Sequence, residues 1–439
     1  MKSQIIFGTS VLENELPQTG KPLIGFSGVT LTGQRNFGID ADALSKHILL
    51  IGGAGCGKTN AFFYALNDIR NNMNENDVAI IFDTKGEFYD LFKKDGDYVI
   101  GNSLKFREES FTWNIFDEIL ADGWEDDAVS INAKEISAGL FYGRGSSTQP
   151  FFCNAARDIF TGILIHFIRS AKRNPEKWMN RLNNSELLKA FRRYDINLYK
   201  SIFKYYYDLR YLLTYFGDGN TGQALGVFGE LNSMISEYFV GILAEHNPDR
   251  KISMRNAVRN KGGKAIFVEY DLSIGEILTP VYRLLIDQAL KEALGRNVET
   301  GKVYLIADEF KLLPKLQHID DALNFGRGLG VSVIAGIQSI NQIYDIYGQD
   351  KGSAISSGFG SVFAFHANDS ESREYITRRF GKNIMVFNYN DLQKNLPVRS
   401  EREGNTIEEW EQMQLGVGQA AIGIGYNPPF LFKFDRFED

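Results

Sequence analysis

Residues 52–59 read Gly52-Gly53-Ala54-Gly55-Cys56-Gly57-Lys58-Thr59. The stretch matches the pattern G-x-x-x-x-G-K-T, and it stands between a strand predicted at residues 47–51 and a helix predicted at residues 58–70. Glycines let backbone N–H groups turn toward phosphate oxygens, and a helix N-terminus adds the positive end of its dipole. We therefore expect all eight residues to bind a nucleotide, with Lys58 at its β- and γ-phosphates and the Thr59 hydroxyl on Mg²⁺.

A second motif lies at residues 303–309, where an apolar run ends in Asp308 and Glu309. Asp308 is expected to hold Mg²⁺ through water, and Glu309 to orient and deprotonate the water that attacks the γ-phosphate. Taken alone, two acids after a strand are as readily a solvated strand end. The phosphate-binding loop elsewhere in the chain favours the catalytic interpretation.

Apolar runs and helical stretches alternate along most of the chain. Strands are predicted at residues 47–51, 78–82, 265–270, 303–307, 331–337 and 361–366, with a closing strand pair around residues 420–424. Residues 111–117 look irregular, and helices are predicted at residues 127–141, 151–169 and 186–216. This order indicates an α/β fold with a mostly parallel sheet, interrupted by an all-helical insertion.

Composition bounds the class of protein. Of the 439 residues 44% are hydrophobic and 23% charged, as in soluble globular proteins. The two cysteines, Cys56 and Cys153, are too few for a disulfide framework or a zinc site, so we expect a reducing compartment, the cytoplasm. We find no run of roughly 18 consecutive apolar residues and no signal peptide, so we expect a soluble chain.

Basic residues are concentrated in two segments although the net charge is -7. Residues 169–216 hold eleven Lys or Arg against four Asp or Glu, and residues 250–264 hold six basic residues and no acid. Mixed basic and aromatic side chains bind phosphates and stack bases. The alternative is a set of amphipathic helices whose aromatic residues form a small core, which we expect for most of the aromatic residues. The mixture comprises Lys189, Arg192, Arg193, Tyr194, Tyr199, Lys200, Phe203, Lys204, Tyr205, Tyr206, Tyr207, Arg210 and Tyr211.

Several motifs carry a resemblance to a known family. The acid directly after Asp308, with at least one strand between the loop and this motif in sequence, resembles the RecA-like branch of P-loop ATPases, whose members are motors and usually form rings. The D-x-K-G-E at residues 83–87 and the segment at residues 325–342 resemble motifs of the VirD4/TraG-like coupling proteins of conjugative type IV secretion. The resemblance runs from about residue 28 to the end. Further matches in family order are Trp113-Asn114, Phe151-Phe152, Asn368-Asp369 and Arg378-Arg379.

The resemblance implies a domain organisation. Residues 46–120 and 250–439 are expected to form a RecA-like P-loop nucleotide-binding domain, and residues 1–45 a β-hairpin region of the same core. Residues 121–249 are expected to form a helical insertion that includes an all-α domain. ATP and Mg²⁺ are the implied cofactors, and ATP hydrolysis is the implied reaction.

The resemblance also implies roles for single residues. Arg327 is similar to an arginine finger that reaches a neighbouring subunit's ATP, and Gln338 is similar to a polar sensor of the γ-phosphate. Without the family, Arg327 is better explained as a surface ion pair, and Gln338 as an ordinary strand end. Asp83, Lys85 and Glu87 are expected to support the site or a subunit contact.

The implied function is that of a hexameric coupling protein that recruits a relaxase bound to DNA and pumps single-stranded DNA into a type IV secretion channel. DNA is expected in a central pore and at the basic helical insertion. Many members begin with membrane-spanning helices and none is predicted here, so a separate subunit is expected to supply attachment at the inner face of the membrane. Two alternatives stay open: a HerA- or FtsK-like duplex DNA translocase, and a nucleotide-gated adaptor that presents protein substrates.

Overall fold

The computed structural model describes residues 2–12, 16–17, 20–30, 33–144, 150–217, 222–273, 275–295, 301–390 and 397–438. The strands in chain order are β1 Lys2–Gly8, β2 Pro22–Phe26, β3 Gly28–Thr30, β4 Gly33–Gln34, β5 Phe37–Asp40, β6 Ile48–Ile51, β7 Val78–Asp83, β8 Tyr98–Gly101, β9 Thr112–Trp113, β10 Lys251–Ile252, β11 Lys264–Glu269, β12 Val303–Ala307, β13 Val331–Ile337, β14 Ser361–Ala364, β15 Lys382–Asn390, β16 Pro397–Asn405, β17 Gln419–Ile424 and β18 Phe430–Phe434.

The helices in chain order are α1 Ala41–Leu44, α2 Lys58–Asn72, α3 Glu87–Phe92, α4 Ile115–Ile119, α5 Asp126–Leu140, α6 Pro150–Arg173, α7 Pro175–Trp178, α8 Asn184–Arg193, α9 Ile196–Tyr205, α10 Gly222–Tyr238, α11 Met254–Asn260, α12 Gly275–Leu294, α13 Ile319–Phe325, α14 Asn341–Tyr347, α15 Gln349–Gly358, α16 Ser370–Phe380 and α17 Glu409–Met413. Short 3-10 segments include Tyr207–Phe216 and Gly326–Leu329.

The chain divides into two compact units. The first comprises Met1–Asp95, Gly262–Ala265 and Val298–Asp439, and the second comprises Gly96–Lys261 and Ile266–Asn297. Each unit is defined by the contacts among its own residues. The domain boundaries expected at residues 45, 120 and 249 stay a prediction.

A twisted sheet forms the centre of the first unit, with the strand order β4-β3-β18-β17-β14-β6-β13-β12-β7. The five strands from β14 to β7 are parallel to one another, and the four on the other side run antiparallel. Strands β6, β7, β12 and β13 are buried along their whole length, which matches their continuous apolar sequences. The predicted mostly parallel core and the predicted closing pair, β17 and β18, are both present.

The parallel strands place their following loops along one edge of the sheet. The loop after β6, the acids after β12 and Gln338 after β13 all lie at carboxyl ends of neighbouring strands. This edge is where open α/β sheets bind ligands. Helix α2 is held against the sheet by a buried face at helical spacing, formed by Ala61, Phe62, Ala65, Leu66 and Ile69.

The first unit contains antiparallel strand pairs that the sequence did not predict. Strand β1 does not belong to an N-terminal hairpin, because it pairs with β15, which in turn pairs with β16. Within residues 1–45, β2 pairs with β5 and β3 pairs with β4, both antiparallel. The hairpin of β15 and β16 was not predicted.

The second unit is mainly helical, and in it residues 266–269 of β11 pair in parallel with β8. Residues 111–117 are ordered rather than irregular: β9 pairs with β10, more than a hundred residues away, and α4 begins after the Asn114 cap. The predicted helix at residues 186–216 is three segments, α8, α9 and a 3-10 stretch. The helix is interrupted at Asp195, because the Asp195 side chain accepts a hydrogen bond from the Leu198 N–H and so caps α9.

Among the described residues, α6 is the one helix long and apolar enough to cross a membrane by length and composition. The sequence criterion of roughly 18 consecutive apolar residues did not predict α6 as a spanning helix, because its apolar residues are not consecutive. Two thirds of its apolar window is buried inside the structure, where α6 contacts α5 and α10. Burial of this kind is also expected of a core helix.

Candidate nucleotide-binding site

The glycine-rich loop follows β6 and leads directly into α2. Gly55 and Gly57 have φ angles of 72° and 106°, a left-handed conformation that favours glycine. A Cβ at Gly57 would lie 2.9 Å from the backbone of Gly418, whose own N–H donates to Cys56 O at 2.9 Å. The loop conformation therefore depends on glycine both for its dihedral angles and for a close backbone contact.

Lys58 is buried at the start of α2. Its Nζ donates to Gly52 O at 2.6 Å and to Gly53 O at 3.1 Å. These bonds hold the ammonium group under the loop, close to the backbone that is expected to surround phosphates. A single fixed positive charge at a helix N-terminus is well placed to bind a polyanion.

Thr59 and Asp308 meet at the metal position predicted from the sequence. The Thr59 hydroxyl donates to Asp308 Oδ2 at 3.1 Å. Burial raises the pKa of Asp308, and the nearby charge of Lys58 opposes that rise. A hydroxyl and one carboxylate are hard oxygen ligands of the kind that Mg²⁺ takes beside phosphate oxygens and water. The donor set therefore fits Mg²⁺, and no cluster of three or more His, Cys, Asp or Glu with metal-binding geometry occurs among the described residues.

Glu309 and Gln338 form a second pair beside the first. Gln338 Nε2 donates to Glu309 Oε1 at 2.9 Å, and Gln338 N donates to Gln342 Oε1 at 3.0 Å. Glu309 Oε2 is buried and has no hydrogen-bond partner among the described residues. One carboxylate oxygen is thus oriented by the glutamine, and the other remains able to accept a bond from a water molecule.

The strand between the two motifs brings these residues together. Strand β13 pairs with β6 on one side and with β12 on the other, so Gln338 lies between the loop and the acids. A Cβ at Gly336 would lie 2.3 Å from Asp308 O, so only glycine allows this close approach. The position of Gln338 between both motifs therefore depends on the pairing of β13 with β6 and with β12.

Arg327 lies outside this group of contacts. It is in the 3-10 turn after α13, and its Nη2 donates to Asp42 Oδ1 at 2.7 Å. Both side chains are more than half exposed. Within one chain Arg327 therefore forms the surface ion pair that the sequence alone favoured.

Comparison with known proteins gives the family. The family described as Type IV secretory system Conjugative DNA transfer matches residues 9–390. The chain belongs to this family. Within it, the chain is 23% identical over 352 residues to the coupling protein TraD of Escherichia coli K12, covering 78% of the chain and 44% of TraD. It is 29% identical over 122 residues to the conjugal transfer protein TraG of Agrobacterium fabrum, covering 27% of the chain and 18% of TraG. The chain spans less than half the length of these relatives.

Solved structures of a conjugative coupling protein share the fold. The unbound monoclinic form of TrwBΔN70 has a TM-score of 0.73 at 17% identity, covering 99% of this chain and 94% of that one. TrwB in complex with ADP and Mg²⁺ has a TM-score of 0.69 at 18% identity, covering 99% and 95%. This likeness agrees with the predicted RecA-like P-loop fold.

Within this family member, the D-x-K-G-E motif is built around a structural carboxylate. Asp83 is buried and accepts four backbone N–H bonds of 2.8–3.1 Å, from Lys85, Gly86, Phe88 and Tyr89. It therefore caps α3 rather than contacting the loop. Lys85 and Glu87 are exposed, and the Lys85 charge is near enough to oppose the rise in the pKa of Asp308.

Other residues contact the loop or the start of α2, and the sequence did not predict these contacts. The Gly53 N–H donates to His366 O at 2.8 Å, and a Cβ at Gly53 would lie 2.6 Å from Asn368 Nδ2. Asn60, on the first turn of α2, bonds to the backbone of Asp435 and Phe437. The Gly416-Val417-Gly418 segment also contacts the loop, through the bond from the Gly418 N–H to Cys56 O.

The two basic segments, at residues 169–216 and 250–264, lie in different environments. In the segment at residues 250–264, Arg255 and Arg259 form ion pairs with Asp122 and Glu292, so much of its charge is neutralised. In the aromatic segment, Tyr199, Phe203 and Tyr206 are buried as expected for a small core. Tyr205, Tyr207 and Tyr211 are exposed.

Proposed function

We propose that this chain is an ATP-driven coupling protein, which recruits a relaxase bound to DNA and pumps single-stranded DNA into a type IV secretion channel. Membership of the conjugative DNA transfer family supports this proposal. TrwB, which shares the fold, forms a complex with ADP and Mg²⁺, and the donor set here suits the same ligands. We place the chain in the cytoplasm, at the inner face of the cell membrane when docked.

One observation carries the catalytic part of the proposal. The bonded pair Gln338 and Glu309 lies beside the bonded pair Thr59 and Asp308, on neighbouring strands at the loop edge. In this arrangement Thr59 and Asp308 would hold Mg²⁺, and the bound ion would neutralise charge on the phosphates. Glu309 accepts the proton of the attacking water, and Gln338 keeps the carboxylate in position and contacts the γ-phosphate.

The loop residues complete the nucleotide site. The loop presents backbone N–H groups to the phosphates from Gly52, Gly53, Ala54, Gly55, Cys56 and Gly57. On nucleotide binding, the Lys58 ammonium group moves from the loop carbonyls to the β- and γ-phosphates. Arg327 acts on the ATP of a neighbouring subunit in a ring, which we propose is a hexamer. Its exposure in the single chain leaves its guanidinium accessible to a neighbour.

The test is ATP hydrolysis by the purified chain, with and without single-stranded DNA, over a range of protein concentrations. Wild type is expected to show activity that rises cooperatively with concentration and with DNA. Lys58→Ala and Arg327→Ala are expected to abolish it.

Other outcomes would select the alternatives. Stimulation by duplex DNA but not by single strands would replace the proposal with a duplex translocase. Hydrolysis indifferent to DNA and to Arg327 would leave the nucleotide-gated adaptor.

A further inference from the structure

A cavity of about 440 Å³ lies within the second unit, and none of the residues that line it belongs to the candidate nucleotide site. It is formed by the end of α6, by α7 and by the end of α9, and its walls include Arg173, Trp178, Tyr205 and Tyr206. Its volume falls within the roughly 300–1,000 Å³ of pockets that bind small molecules. The cavity is thus large enough to receive a planar ring system.

The walls are aromatic and held in fixed positions. The ring centres of Tyr205 and Tyr206 are 5.1 Å apart with the rings nearly perpendicular, and Trp178 packs edge to face against His166 at 5.4 Å. Tyr206 is buried, whereas Tyr205 is 66% exposed. A large, exposed ring beside a cavity is a surface on which a flat ligand can stack.

Arg173 adds a positive charge at the same place. Its guanidinium carbon lies 4.6 Å from the centre of the Tyr205 ring, and its Nη2 donates to Tyr206 Oη at 2.6 Å. Arg173 forms no ion pair with any residue that the structure describes, whereas nearby Arg169 is paired with Asp208. The charge of Arg173 is therefore available to an anion.

The segments that form the walls are basic as a whole. Residues 172–181 and 199–210 together hold seven Lys or Arg against two Asp or Glu. A single carboxylate on a protein partner would use one of these charges, whereas a polyanion would use several. Ser170 and Ser201 also line the cavity, and a hydroxyl oxygen that donates its hydrogen elsewhere, as Ser201 does to Asn197 O, can still accept a hydrogen bond.

We propose that this cavity receives one unstacked base of single-stranded DNA, with the base against Tyr205 and Trp178 and the adjoining phosphate at Arg173. The inference rests on the proposed function, because it names where the helical unit holds the strand that the motor moves. Stacking on an aromatic side chain tolerates any base, so the contact suits a strand of variable sequence.

The test is equilibrium binding of fluorescent oligothymidylate to the full chain, measured by anisotropy. Tyr205→Ala is expected to weaken binding about tenfold, as for the loss of one stacked base. Tyr207→Ala is the matched control, since Tyr207 is 86% exposed on the same segment but does not line the cavity, and it is expected to change affinity less than about twofold. An abasic oligonucleotide of equal length should bind wild type and Tyr205→Ala alike.

Arg173 is tested through salt. A plot of log affinity against log salt concentration has a negative slope, and Arg173→Gln is expected to make this slope less steep by about one. Arg173→Lys is expected to keep the wild-type slope. Thermal unfolding of each variant shows whether the fold is intact, and Arg173→Lys provides a second, conservative variant.

The outcomes separate this inference from the proposed function. If wild type binds no single-stranded DNA, the proposed function fails. If wild type binds DNA and its ATP hydrolysis is stimulated, but Tyr205→Ala and Tyr207→Ala bind DNA alike, the base cavity alone is overturned. If Tyr205→Ala weakens binding of a purified relaxase but not of DNA, the cavity is a protein site and the inference is also overturned.

Discussion

Arg327 and Asp42 form an ion pair of 2.7 Å across 285 positions of sequence, with both side chains exposed. The hydrogen bond from Lys46 is the main cause that lowers the pKa of Asp42, and the charge of Arg327 and its hydrogen bond add to this effect. Exposed pairs of this kind contribute little to stability. Substitution of Arg327 is therefore expected to leave the fold intact, so its effect on ATP hydrolysis can be measured separately from stability.

The first prediction concerns Arg327. Arg327→Ala is expected to lower ATP hydrolysis by about 10³-fold or more, as for loss of an arginine finger, with little change in melting temperature. Asp42→Ala is the control, because it breaks the same ion pair but keeps the guanidinium.

Mixing two inactive variants tests whether the finger acts between subunits. In mixed rings, the Arg327 of a Lys58→Ala subunit can serve the intact loop of an Arg327→Ala subunit, so part of the activity should return. No recovery on mixing, with assembly intact, would contradict action in trans.

The second prediction concerns Glu309 and Gln338. Glu309→Gln is expected to slow single-turnover hydrolysis by about 10²- to 10⁴-fold, because the general base is lost. ATP affinity should be retained, since Lys58, Thr59 and Asp308 are unchanged. Adding Gln338→Ala to Glu309→Gln should cost little more, because the two side chains act as one unit. An equal loss of ATP affinity would indicate damage to the metal site instead.

The third prediction concerns stability and pH. His47 is buried; the Val333 N–H donates to its Nδ1, and its Nε2 contacts Leu323 O at 3.1 Å. Burial lowers the pKa of His47 to about 4. Between the unfolded pKa of about 6.5 and the folded value, only the unfolded chain binds the proton, so stability falls as the pH falls through this window.

The expected loss attributable to His47 is about 2 kcal/mol between pH 7 and pH 5. His47→Asn removes the titrating group and tolerates the positive φ of 66° at this position. Urea unfolding at both pH values should show a smaller pH effect in the variant. An equal pH effect in both proteins would show that His47 does not contribute.

The fourth prediction concerns Asp83. Asp83→Ala leaves four backbone N–H groups without their acceptor and is expected to destabilise the chain by about 2 kcal/mol or more. ATP affinity of the folded fraction should change little, because the four bonds of Asp83 go to residues 85–89 and not to the loop at residues 52–59. Asp83→Asn keeps one acceptor oxygen and should have an intermediate effect. A selective loss of hydrolysis with normal stability would instead support the expected role of Asp83 at the site or at a subunit contact.

The motifs of the candidate nucleotide site could be found in the sequence, because each motif is local. The loop at residues 52–59, the acids 308–309 and the apolar strands before them each follow from patterns within a few residues. The buried strands β12 and β13 match their predicted bounds for the same reason. Even the family could be stated from short motifs in order.

Tertiary structure decided what depends on contacts between distant segments. The pairing of β1 with β15, the position of Gln338 between two motifs and the contact of Gly418 with the loop join residues far apart in sequence. The capping role of Asp83 depended on the path of the backbone, and the cavity at Tyr205 depended on how α6, α7 and α9 pack. A sequence pattern carries the period of one element, whereas a contact depends on the packing of two.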